Sequence, residues 1–168
     1  MTLLSAAMDR IMDWMQQHRP ERARTFQPGL SREEIDHAIA NLPNQFPEEL
    51  YELYQWRNGS TEWDSIDSII SPILEFMPLK QAVESCIDLL EVFGEDGTIP
   101  DPLLEGGKRL FPFICENSSC YYAVFLNNRQ QQSSPVIDIA AEGDLDIVFS
   151  SLTDMMQTLA EDLLHECR

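Results

Sequence analysis

The change of hydrophobic period along the chain is what most narrows the folds open to it. Up to about residue 93 the apolar residues recur every three or four positions, from Leu110 to Phe149 they alternate, and after Ser151 the helical spacing returns. Helices first, then a meander of strands, then a closing helix predict an α+β domain, with helices packed around a mainly antiparallel sheet of four to six strands. Leu110–Cys115 and Cys120–Asn127 flank the polar run Glu116-Asn117-Ser118-Ser119, which reads as an antiparallel hairpin. A polar turn over Asn127–Ser134 leads to two further strands, Pro135–Ile139 and Leu145–Phe149, around Ala140–Asp144.

The helical part carries its own punctuation. Leu4, Ala7, Met8, Ile11 and Met15 form one stripe, with Trp14 beside it, and Arg19-Pro20 ends that helix near His18. Met8, Met12 and Trp14 suit either packing within one chain or pairing of two. Glu21–Gly29 reads as a connector, and Ser31-Arg32-Glu33-Glu34 as a capping box opening a helix that runs to about Asn41. The stretch Leu42–Gly59 is the most tightly marked. Pro47 fits its first helical turn, Phe46 is placed to staple against Leu50, Leu53 and Tyr54 continue the apolar face, Trp56 closes the last turn, and Asn58-Gly59 supplies a left-handed stop.

Beyond it the pattern weakens. Ser60–Pro72 reads as irregular, Ile73–Met77 as a strand, and Pro78 precedes a helix carrying Leu79, Ala82, Val83, Cys86, Leu90 and Phe93, capped by Gly94. Glu95–Gly107 is a long loop, and Ser151 with Asp154 caps a last helix through Leu152, Met155, Met156, Leu159 and Leu163.

Composition removes several functions. Eleven basic against 29 acidic residues give a net charge of −18, a field that repels phosphate backbones and anionic membranes and favours encounter with a basic protein. No apolar run approaches the roughly 20 residues that a membrane helix needs. The segment MTLLSAAMDRIMDW has no basic leader ahead of its apolar residues, so cytoplasm is the expected location, and residues 1–168 are expected to form one domain, 1–28 being a helical extension plus connector.

Catalytic signatures are sparse. Gly94, Gly97, Gly106 and Gly107 match no phosphate-binding fingerprint, and neither a GxSxG elbow nor an HExxH pair is present. Cys86, Cys115, Cys120 and Cys167 read as reduced and mostly buried. Cys115 and Cys120 form the one close pair, without a second pair to complete a zinc site, and a cysteine hydrolase would need His18, His37 or His165, all on predicted helices. Of the acidic pairs Glu33/Glu34, Glu48/Glu49, Glu95/Asp96, Asp144/Asp146 and Glu161/Asp162 most fall in first turns or loops, and Glu142-Gly143-Asp144-x-Asp146 lacks the remaining ligands of a calcium loop. No cofactor or metal is expected. Trp63, set among Glu62, Asp64 and Asp67, reads equally as an interface anchor with an acidic rim or as a cover on the core, and Glu95 with Asp96 offers a second patch.

These residues together resemble the SUKH superfamily, in the branch named for the fungal cell-wall regulators Smi and Knr. Leu42-Pro43, Leu50, Leu53, Tyr54 and Asn58-Gly59 look like the family's helix ending in an asparagine-glycine pair. LFPFICENSSCYYAVFLN, from Leu110 to Asn127, is similar to its apolar-proline strand, polar turn and second strand; Ser134-Pro135-Val136 and Phe149–Leu164 resemble its next strand and last helix. The hairpin turn Asn117-Ser118-Ser119 and the ending Asn127-Asn128 depart from the acidic residues usual there, and the Met1–His18 helix lies outside the pattern. The resemblance implies a non-enzymatic protein-binding module: in bacterial members an immunity protein occluding a toxin domain, in fungal members a regulator of wall assembly.

Overall fold

In a computed structural model that describes residues 1–61, 75–93, 102–116 and 119–165, the chain opens with helix α1, Leu3–His18. Thr2 and Ser5 close a reciprocal capping box at its start, and Leu4, Ala7, Met8, Ile11, Met12 and Met15 are all buried along one face. The methionines therefore pack inside one chain. The expected connector has structure of its own: a one-turn helix α2, Pro20–Ala23, followed by a short strand β1, Phe26–Pro28. Helix α3, Arg32–Ala38, starts at the anticipated capping box, with the Glu34 amide donating to the Ser31 hydroxyl at 3.2 Å and the Ser31 amide to the Glu34 carboxylate at 2.7 Å.

Helix α4, Glu48–Trp56, follows the predicted stretch but ends differently. Pro47 stands just ahead of it as its N-cap, and the chain leaves Trp56 straight into strand β2, Arg57–Ser60, antiparallel to β1. Asn58-Gly59 is thus no helix stop. The Asn58 side chain accepts the Leu79 amide at 2.9 Å, and Gly59, at φ +70°, lies so close to Met77-Pro78 that a Cβ there would sit 2.2 Å from the Pro78 nitrogen. The pair fastens α4 and β2 to the next helix.

Of the expected strand over Ile73–Met77, Ile73 and Leu74 lie outside the described residues, and Phe76 makes a single bridge to Ile114. Helix α5 is Leu79–Phe93. Within the expected long loop, Pro102–Leu104 forms one 3-10 turn. The meander then follows the alternating pattern: β3, Arg109–Glu116; β4, Cys120–Leu126; β5, Val136–Ile139; and β6, Leu145–Phe149, in the order β3-β4-β5-β6, all neighbours antiparallel. Helix α6, Leu152–His165, closes the described chain.

Strand alternation splits the core in two. Val124, Leu126 and Val136 face the larger part, which the helices fill with Met8, Ile11, Leu50, Tyr54, Ala82, Met155 and Met156; Ala123, Phe125, Ile137 and Ile139 face the smaller, with Phe93, Leu110 and Leu145. A bulge between Pro112 and Ile114 turns both Phe113 and Ile114 towards the larger part. Tyr54, Phe46 and Phe111 join there edge to face, the Phe46–Phe111 centroids lying 4.6 Å apart. Helix α1 lies along α6 and touches α4, so it is packed into this core.

Candidate interaction surface

Glu62, Trp63, Asp64 and Asp67, and likewise Glu95 and Asp96, lie outside the described residues. The acidic pairs inside them divide by what their carboxylates touch. Glu48 receives both terminal nitrogens of Arg32 at 2.8 Å and the Gln130 amide at 2.9 Å; the Arg32 hydrogen bonds, ahead of any other influence, hold its carboxyl below the usual range. Arg32 also lies over the Tyr51 ring at 3.9 Å, and the Tyr51 hydroxyl donates to Asp36 at 2.6 Å. This cluster ties α3 to α4.

Glu49, only 6% exposed, reaches the start of α6. Its carboxylate accepts the Leu152 amide at 3.1 Å, the Thr153 amide at 3.2 Å and the Thr153 hydroxyl at 2.6 Å. The expected Ser151–Asp154 cap is present too, with the Asp154 amide on the Ser151 hydroxyl at 3.0 Å. A buried anion at a helix N-terminus, with its oxygens on orphan amides, is a structural device.

The thiols and imidazoles of the described residues sit on different elements. Cys86 and Cys115 are buried, Cys120 is half-buried, and burial pushes the Cys86 thiol up to about 12, far from a nucleophile's range. Cys115 and Cys120 are on β3 and β4, whereas His18, His37 and His165 are on α1, α3 and α6. Cys167 lies outside the described residues, among which no three His, Cys, Asp or Glu side chains are placed to hold a metal ion. The calcium-like run is a hairpin turn, closed by the Gly143 amide on the Ala140 carbonyl at 2.9 Å and the Ala140 amide on the Asp144 carbonyl at 3.0 Å.

What the fold does bring together is acid on the sheet. Register sets Tyr122 opposite Asp138, and Asp138 opposite Asp146, while Glu116 pairs with Cys120 beside Tyr122. Two like charges directly across a strand pair oppose folding. Partial burial and then the Asp146 charge raise the Asp138 carboxyl; partial burial and then Asp138 raise Glu116. Tyr122, half-buried among Glu116, Asp138 and Cys120, is pushed up to about 12, chiefly by burial, and so stays a neutral hydroxyl.

The neighbouring edge of the sheet is apolar as well as acidic. Asp146 is exposed, as are Ile147 at 52% and Val148 at 41%, and among the described residues no strand pairs with the outer side of β6. Sequence reading placed Asp144 and Asp146 in a turn and passed over this pairing. The signal was present: a hairpin whose arms end at Ile139 and begin at Leu145 must set Asp138 against Asp146, and aspartate is unfavourable inside a strand.

Over residues 29–158 the chain matches the model of the SMI1/KNR4 family (SUKH-1). The chain belongs to this family. No curated protein matches it closely enough to count as a relative. SUKH-1 membership makes the chain a module of the type that works through protein–protein contacts, in a family that is generally non-catalytic. Among the described residues no helix is long and apolar enough to cross a membrane. The SUKH-1 match begins beyond α1, β1 and the residues between them, so the packing of α1 against α6 lies partly outside the matched segment.

Proposed function

We propose that this SUKH-1 chain is a non-enzymatic, cytoplasmic immunity-type protein that neutralises a basic toxin domain by covering it with an acidic surface. The observation that carries the reading is the pair of carboxyls Asp138 and Asp146, set opposite each other at a cost to the fold, with Glu116 near enough across β4 to feel Asp138. A partner's cations repay that cost on binding, and a nuclease-type domain is basic where it meets nucleic acid. The net charge of −18 extends the same preference over the whole molecule.

Trp63, with Glu62, Asp64 and Asp67 around it, remains our proposed anchor, and Glu95 with Asp96 a second patch. The test is capture of the polypeptide encoded beside this one by the full chain, at about 50 mM and about 500 mM salt. Capture that weakens with salt and with the triple variant Trp63→Ala, Asp64→Ala, Asp67→Ala supports the function and the anchor. Salt-independent capture that survives the triple variant removes both the charge-based mechanism and the anchor. The second reading, a regulator or adaptor of envelope growth, is supported by the branch of the family that is named for wall regulators. A toxin gene beside this one favours immunity, and its absence favours the regulator.

A further inference from the structure

Beta-strands at the edge of a sheet carry a row of main-chain donors and acceptors without a ladder partner, and proteins usually shorten, twist or charge such edges against unwanted pairing. Among the described residues β6, Leu145–Phe149, is such an edge, formed apart from Asp146 of residues that favour strands, with Ile147 and Val148 exposed in succession and so pointing to opposite faces. Its acid is on the strand itself, at Asp146, and continues across the sheet through Asp138 towards Tyr122 and Glu116.

That arrangement selects an occupant. A second copy of the chain would bring another Asp146 and another −18 charge against the same edge, so self-pairing is repelled. Nucleic acid is repelled for the same reason. An extended polypeptide with alternating cationic and β-branched residues suits this edge: its main chain continues the ladder, its apolar side chains on one face cover Ile147, and its cations on the other face, which Val148 shares, lie over Asp146. We propose that β6 binds an extended basic segment of a partner protein as an added strand, with the segment's cationic side chains over Asp146 and towards Asp138 on the next strand. The proposal rests on the protein-binding reading above and adds the site and the form of the partner's contact.

The probe is a blocked heptapeptide of alternating lysine and valine, titrated into the full chain to millimolar concentration while backbone amides are followed by NMR and hydrogen exchange. The expected result is shifts centred on β6 and β5, slowed exchange at alternate β6 amides, and affinity at least about tenfold lower for an analogue N-methylated at alternate residues, which keeps the charge and loses the ladder. The exposed-site variant Ile147→Lys with Val148→Lys should weaken the peptide by a similar factor while leaving the circular dichroism spectrum unchanged. Equal binding of the N-methylated analogue, shifts elsewhere or none, or β6 protected by a doubling of molecular mass without peptide would each overturn strand addition. Capture of the neighbouring gene's product separates this from the function itself. If the double lysine variant captures as well as the wild type, β6 is not the partner's site and the binding function stands; if the wild type captures nothing while the peptide result holds, the toxin reading falls and the strand site stands.

Discussion

The seam between α1 and α6 and the free end of the sheet at β5–β6 are built on opposite principles. Along the seam apolar meets apolar: Met8, Ile11, Met12 and Met15 on one helix, Met155, Met156, Ala160 and Leu163 on the other, all buried in one cluster. At the sheet end carboxylate meets carboxylate, and two large apolar side chains stay in water. The seam lies partly outside the family match and the sheet end lies wholly within it. The contrast separates surface spent on holding the fold from surface that we propose is held ready for another molecule.

Breaking the seam should have the largest effect. Ile11→Asp puts an unpaired charge into a fully buried position, and urea unfolding followed by circular dichroism should show a loss of about 4 kcal/mol or more. Residues 1–28, which we propose to fold as part of one domain with the rest, would then be shown to be integral to it; an unchanged midpoint would make α1 an appendage. Removing the buried cap comes next. Glu49→Ala leaves the Leu152 and Thr153 amides without their acceptor and should cost about 2–3 kcal/mol, read in the same way.

At the sheet end the sign reverses. Asp138 has a folded-state pKa raised above its unfolded value, so its contribution to stability falls as pH climbs through the interval between the two, and no penalty remains below the lower one. Asp146→Asn removes the facing charge. It should stabilise the chain at pH 7 by a few tenths to about 1 kcal/mol, with the gain fading at acid pH as Asp138 takes up its proton. Thermal unfolding of both proteins across pH checks this, and a destabilised variant at pH 7 would show that Asp146 is held by an attraction instead.

How much of this was legible in the sequence depended on whether local pattern alone determined it. The α1 stripe, the Ser31–Glu34 capping box and the β3–β4 hairpin are local features, and each formed where residue period and cap chemistry placed it. Asn58-Gly59 misled because a left-handed glycine serves a tertiary contact as readily as a helix end; its use here depends on Met77-Pro78, some twenty residues on. Glu49 was unreadable for the same reason, its amide partners lying 103 and 104 positions away. The expected site around Trp63 falls outside the described residues, while the acid at Asp138 and Asp146 emerged only when the two strands were put in register.

The opposed carboxylates Asp138 and Asp146 either serve a partner or serve nothing. Isothermal titration of the neighbouring gene's product into wild type and into the Asp138→Asn, Asp146→Asn variant tests this most directly, because the variant is expected to be the more stable protein and any loss of binding is then free of unfolding. At least about tenfold weaker binding at low salt, with the gap narrowing as salt rises, is the predicted result. Equal affinity at every salt concentration would contradict it.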